Sequence, residues 1–164
     1  MPKLVKETAD REELGSKVSA WVSVGDGALD RRIFWQEDIY ALELERIFAR
    51  CWIFVAHDSQ LPEVGDFLTS TIGEDAVIVS RGEDGNIHTF LNSCSHRGNR
   101  VCFAEVGSAR RFTCNFHGWS YGLDGSLKSV SRPQSYDGNA NFDKARLGLH
   151  RARVENYKGM NFAC

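Results

Sequence analysis

Two short arms constrain this chain of 164 residues more than any other feature. They read Cys94-Ser95-His96 and Cys114-Asn115-Phe116-His117, with seventeen residues between them. Each arm offers one thiol and one imidazole. A Cys and a His this close fit on one tight loop with both side chains pointing inward. Seventeen residues suffice for a strand, a turn and a return strand, which sets the two loops side by side. Thiolates favour soft centres, and imidazole suits iron, copper or zinc. The four side chains therefore form a candidate ligand set of two kinds.

Three readings fit the spacing alone. One is a structural zinc site, which is tetrahedral and uses Cys2His2 sets. Common zinc patterns put Cys with Cys and His with His, whereas these arms alternate. Another is coincidence among unrelated core residues. The third is a [2Fe–2S] centre of the Rieske kind, in which two His replace two Cys on one iron. Under it Cys94 and Cys114 hold one iron and His96 and His117 the other, so each arm contributes to both. Ferric irons, sulfides, thiolates and neutral imidazoles then sum to zero formal charge. The centre accepts an electron more readily than an all-Cys cluster, at roughly −150 to +300 mV against about −400 mV.

The flanking residues narrow the choice. The arms continue as Cys94-Ser95-His96-Arg97-Gly98 and Cys114-Asn115-Phe116-His117-Gly118-Trp119-Ser120-Tyr121. This resembles the Rieske oxygenases, specifically the N-terminal part of the alpha subunit of aromatic-ring-hydroxylating dioxygenases. The resemblance extends to Leu42-Glu43-Leu44-Glu45-Arg46-Ile47-Phe48, to Gly65-Asp66-Phe67 and to Tyr157-Lys158-Gly159. It implies a mainly β Rieske fold of antiparallel sheets with a helix at about 37–50, and a [2Fe–2S] cluster on Cys94, His96, Cys114 and His117. A reductase or ferredoxin would donate electrons, and the subunits would assemble as alpha3 or alpha3beta3. Electrons would pass to a mononuclear Fe(II) that activates dioxygen against an aromatic substrate.

Family alpha subunits are more than twice as long and bind that second iron with two His and one carboxylate. After His117 this chain has only His150, so the ligands of a catalytic iron are expected to be absent and these residues alone should not hydroxylate. The chain stops inside an expected strand, which suggests truncation of a longer polypeptide. A stand-alone Rieske ferredoxin is the alternative, but such carriers are usually shorter and lack the 37–50 helix. A zinc-stabilised binding module is a third class.

Around the ligands, Gly98 and Gly118 let backbone N–H groups turn towards sulfur. Trp119 is expected to shield the cluster, and Arg97 to offset its charge or meet another subunit. His57, His88 and His150 lie outside any motif. Respiratory Rieske proteins carry an extra Cys in each loop. Here Gly98 or Asn99, and Phe116, stand in those places, which favours the oxygenase branch. The odd count of five Cys argues against a complete disulfide framework, and Cys102 reads as a buried apolar residue on a strand.

Net charge of −2 gives no electrostatic case for nucleic acid or an anionic membrane. No apolar run approaches the roughly 20 residues of a membrane span, and no secretory signal is seen, so a cytoplasmic protein is expected. Three segments follow: an arm at 1–35, a helix plus Rieske domain at 36–150, and return strands at 151–164. Within the helix, Tyr40, Leu44, Ile47, Phe48 and Cys51 form an apolar stripe read as a core face. Strands are expected at 52–55, 67–72, 76–81, 87–92, 101–104, 110–113, 119–123, 126–130, 151–155 and 160–164. A loop fills 131–147.

Overall fold

The computed structural model describes residues 8–25, 27–139 and 142–164. The start of the expected arm, Asp26 of its Gly25-Asp26-Gly27 break, and Ala140 and Asn141 of the long loop lie outside the described residues. Residues 1–51 and 52–164 form two compact units.

In the first unit, α1 (Thr8–Ala20) precedes a small hairpin of β1 (Val22–Ser23) and β2 (Ala28–Leu29). Helix α2 (Glu37–Glu43) follows, with Glu37 and Asp38 in its first turn, where the helix dipole favours acids. It runs on as a π-turn over Leu44–Phe48. Among the described residues, Leu14, Ile39 and Leu42 form the buried apolar cluster of this unit. The expected stripe is corrected here, since Tyr40 and Ile47 are 40% and 44% exposed. The Ile39/Leu42 face packs with α1 instead. The Ala49 N–H reaches back five residues to the Leu44 carbonyl, and this wide turn takes the following residues out of helical phase.

The second unit begins with β3 (Ile53–His57), β4 (Asp66–Ile72), β5 (Asp75–Arg81) and β6 (Ile87–Leu91). Then come β7 (Val106–Ser108), β8 (Phe112–Thr113), β9 (Ser120–Tyr121) and β10 (Leu127–Ser129). The last strands are β11 (Val154–Tyr157) and β12 (Met160–Ala163). They make three antiparallel sheets, ordered β6-β5-β4-β7, β10-β9-β8 and β11-β12-β3. The mainly β architecture is the one expected.

Both faces of the four-stranded sheet carry buried apolar side chains, and its interior strand β5 reads as the apolar run Ala76-Val77-Ile78-Val79 and not as a polar/apolar alternation. Along β5, Val77 and Val79 join Leu68, Val55, Ala56 and Ala163 in one core. Ile78 points the other way, with Phe67 and Phe90, into a second core that includes Cys94, Cys114, Trp119 and Tyr121. This alternation follows from the two-residue period of a strand. The candidate ligands thus sit on the edge of a core anchored by the central sheet. Ser80, fully buried on β5, donates to the Leu123 carbonyl at 2.6 Å and ties the sheet to the β9–β10 hairpin.

One expected strand pair is not formed. Residues 101–104 are not a strand, and Cys102 is buried but lies in irregular chain. The strand of that region is β7, which pairs with β4, while β8 pairs with β9. The Asn92 side chain bonds the Val101 and Cys102 N–H groups and the Cys102 carbonyl, and so competes with a ladder there.

Candidate metal centre

Each candidate ligand loop leaves a strand. The first follows β6 through Asn92 and Ser93 into Cys94, and the second joins β8 to β9. Their backbones repeat one another. Cys94 N–H bonds the Asn99 carbonyl at 2.8 Å, and Gly98 N–H bonds the Cys94 carbonyl at 2.7 Å. Twenty residues later, Cys114 N–H bonds the Trp119 carbonyl at 2.8 Å, and Gly118 N–H bonds the Cys114 carbonyl at 2.9 Å. Gly98 and Gly118 both take left-handed backbone, at φ 72° and 70°. A side chain there would cost roughly 1–2 kcal/mol in Cβ crowding. The glycine in both arms has this physical cause.

The loops bring like to like. His96 Nδ1 and His117 Nδ1 lie 3.1 Å apart, with the rings crossed at 77°. The Cys94 and Cys114 thiols are near enough for each to act on the other's pKa, and both residues are buried. The imidazoles are partly exposed, so the thiol pair lies inward and the imidazole pair outward. Among the described residues, no three His, Cys, Asp or Glu side chains converge as for a single ion. The four residues singled out in the sequence are therefore gathered as two pairs.

The surroundings shift these groups in different directions. Burial, helped by His117 and Arg97, lowers the His96 pKa and favours the neutral imidazole. Burial also raises the Cys94 thiol, and the neighbouring Cys114 sulfur adds to this, against the Tyr121 hydroxyl. Burial would raise Cys114 too. The Phe116 N–H, the Asn99 amide, the His117 N–H and the Cys94 thiol outweigh it, and the net direction is down. Tyr121 is fully buried, and burial followed by the Cys94 sulfur holds its hydroxyl well above the usual tyrosine range. It stays protonated, 3.1 Å from Cys94 Sγ, and accepts the Ser95 N–H at 3.1 Å.

Trp119 lies against the first loop. Its ring stacks on His96 at 4.9 Å and 14°. Tyr136 and Phe142, stacked on each other at 4.3 Å, meet Trp119 edge-on at about 6 Å. Those two come from the long loop. The same region secures both arms, since Ser95 Oγ donates to the Gly148 carbonyl and Ser131 Oγ to the His117 carbonyl, each at 2.6 Å. Arg97 is exposed and acts on His96 only through its charge. His57 and His88 bond Ser59 and Asp84, away from the loops. Sequence reasoning missed Asn92, Asn99, Ser95, Ser131 and Tyr121 as contributors. Tyr121 alone had a signal, its fixed place after the second arm.

The imidazoles open onto a surface cleft of about 490 Å3 lined by Phe116, Trp119, Arg132 and Tyr136. A sheltered thiol pair behind an accessible imidazole pair is the arrangement that a class of proteins with a mixed-ligand iron–sulfur centre requires. The signature of the Rieske [2Fe-2S] domain matches residues 51–156, and the chain belongs to that family.

Similar proteins narrow the family further. The chain is 45% identical over 142 residues to the biphenyl dioxygenase alpha subunit of Metapseudomonas furukawaii, covering 84% of this chain and 31% of that protein. It is 44% identical over 148 residues to a benzene 1,2-dioxygenase alpha subunit of Pseudomonas putida, covering 90% and 32%. Naphthalene 1,2-dioxygenase from Rhodococcus sp. superposes with a TM-score of 0.82 at 35% identity, over 96% of this chain and 35% of that one. The chain thus spans about a third of the length of the relatives it matches.

Proposed function

We propose that Cys94 and Cys114 hold one iron of a Rieske [2Fe–2S] cluster and His96 and His117 the other. On this reading the chain is the electron-transfer part of an aromatic-ring-hydroxylating oxygenase alpha subunit. It relays electrons from a reductase or ferredoxin towards a mononuclear non-haem iron that activates dioxygen for an aromatic substrate. The observation that carries the proposal is the sorting of the four side chains into a buried thiol pair and an outward imidazole pair. A tetrahedral zinc ion needs all four at one point, and no three converge so among the described residues.

When bound, the centre supplies one-electron transfer without open coordination sites for oxygen. The chain's own residues set the conditions. Tyr121 O–H and the Asn99 amide point hydrogen-bond donors at the two sulfurs. Such donors stabilise added negative charge and raise the potential. Trp119 covers one face of His96 and keeps water from it. The cleft beside the imidazoles leaves their edges within reach of an electron donor or acceptor.

The match to oxygenase alpha subunits over 84–90% of the chain favours this reading over a stand-alone Rieske ferredoxin. Assembly as alpha3 or alpha3beta3 and a cytoplasmic location belong to the same proposal. No helix among the described residues is long and apolar enough to cross a membrane. After anaerobic reconstitution the chain should show the visible absorbance and reduced-state EPR of a mixed-ligand cluster. His117→Ala should lose both signals, and a variant that retains them would refute the ligand assignment.

A further inference from the structure

The two loops reach across to each other from the same relative position. The fifth residue after the first cysteine is Asn99, and the fifth after the second is Trp119. Each closes its own loop by accepting the cysteine N–H on its backbone carbonyl. Each also sends its side chain to the opposite loop. Trp119 lies over His96. The Asn99 amide nitrogen stands 3.0 Å from Asn115 Oδ1, 3.5 Å from Cys114 Sγ and 2.9 Å from the Arg100 carbonyl. Its two N–H bonds are thus shared among three acceptors, two of them on the second loop.

We propose that Asn99 is a positioning residue for the metal centre, a clasp that holds the ligand loops at one separation and directs an N–H at the Cys114 sulfur. This rests on the Rieske reading of the four ligands. The two effects travel through different acceptors. The bond to Asn115 ties loop to loop, and the bond to Cys114 Sγ acts on the charge of the sulfur. No other side chain of the first loop is placed so that one group can do both. Arg97 is exposed, and Ser95 bonds away from the second loop, to Gly148.

Two substitutions separate the effects. Asn99→Leu keeps comparable bulk and removes every donor. Asn115→Ala removes the loop-to-loop acceptor but leaves the N–H facing sulfur, and Asn115 is exposed, so folding should be spared. The whole chain, reconstituted with iron and sulfide, would be followed by chelator-driven iron release and by redox titration monitored by EPR. Asn99→Leu should release iron about tenfold faster, in line with the roughly tenfold or greater loss of metal affinity when a group that supports a ligand is removed. Its reduction equilibrium should shift about tenfold towards the oxidised state, which is about 59 mV for one electron. Asn115→Ala should speed release with the potential unchanged.

Unaltered release and potential in Asn99→Leu would overturn the proposal. So would an Asn115→Ala potential shifted as far as that of Asn99→Leu. Should Asn99→Leu take up no cluster, Asn115→Ala decides alone: faster release at unchanged potential supports the clasp, and unchanged release overturns it. Wild-type chain that binds no iron and sulfide would instead sink the Rieske reading, an outcome distinct from any of these.

Discussion

The two ligand loops share a backbone frame and are closed at the base by different means. The second sits at the tip of a β-hairpin, where Thr113 pairs with Ser120 and ordinary ladder bonds do the work. The first has no hairpin beneath it. One buried side chain, Asn92, stands in for the missing strand. Its Oδ1 accepts the Val101 and Cys102 N–H groups at 2.9 and 2.8 Å, and its Nδ2 donates to the Cys102 carbonyl at 2.7 Å. A ladder spreads its bonds over many residues, and any one side chain in it is replaceable. A single amide concentrates them, so the first loop should be the fragile one.

The largest effect should expose that asymmetry. Asn92→Leu leaves the Val101 and Cys102 N–H groups without partners in a buried setting, where each orphan costs about 1–3 kcal/mol, and leaves the Cys102 carbonyl with Arg100 Nε alone. We expect a loss of about 3–5 kcal/mol of stability by urea unfolding. Thr113→Val, at the matching base of the second loop, removes one side-chain bond of 3.3 Å to Ser120 and should cost less than about 1 kcal/mol. Equal losses would break the comparison.

The glycines test it in the opposite direction. A Cβ on Gly98 would meet nothing nearer than Ser93 Oγ at 3.8 Å, so Gly98→Ala should cost about 1 kcal/mol, from left-handed backbone alone. A Cβ on Gly118 would run into Ser131 Oγ, the group that holds the His117 carbonyl. Gly118→Ala should cost about 3 kcal/mol, strain and overpacking together. Unfolding midpoints of the two variants, compared side by side, check the ordering.

These contrasts explain what could be read in the sequence. The thiols, imidazoles and glycines were visible because a metal site and a left-handed turn demand particular residue types at short spacing. The hairpin turns at Asp84-Gly85 and Asp124-Gly125 were visible for the same reason. Asn92, Ser95 and Ser131 were not. Each acts on a backbone group of another segment, ten to fifty-three residues away, and such a pairing leaves no local pattern. The stripe from Tyr40 to Cys51 misled at its start because α2 buries the Ile39/Leu42 face, and further on because a π-turn interrupts the helical period on which it was read. At the strand expected over 101–104, Asn92 already holds the Val101 and Cys102 N–H groups and the Cys102 carbonyl.

A smaller effect serves as a control outside both loops. Asp58 accepts Asn161 Nδ2 at 2.9 Å and Asn156 Nδ2 at 3.1 Å, and Arg81 stands 3.5 Å away. The Asn161 bond leads in holding its carboxyl below the ordinary value. A folded-state pKa below the unfolded one adds stability that is complete above the unfolded value of about 4 and fades as pH falls through the folded value. The side chain is 41% exposed, so the contribution should stay under about 1 kcal/mol. The Tm difference between wild type and Asp58→Asn should shrink between pH 5 and pH 3. A difference independent of pH would contradict the assignment.

The account stands or falls on how the four ligands are divided between two metal ions. Mössbauer spectroscopy of the chain reconstituted with iron-57 and sulfide reads this division directly. One iron held by Cys94 and Cys114 and the other by His96 and His117 predicts two distinct quadrupole doublets of equal area. A single doublet, or no bound iron, would contradict it.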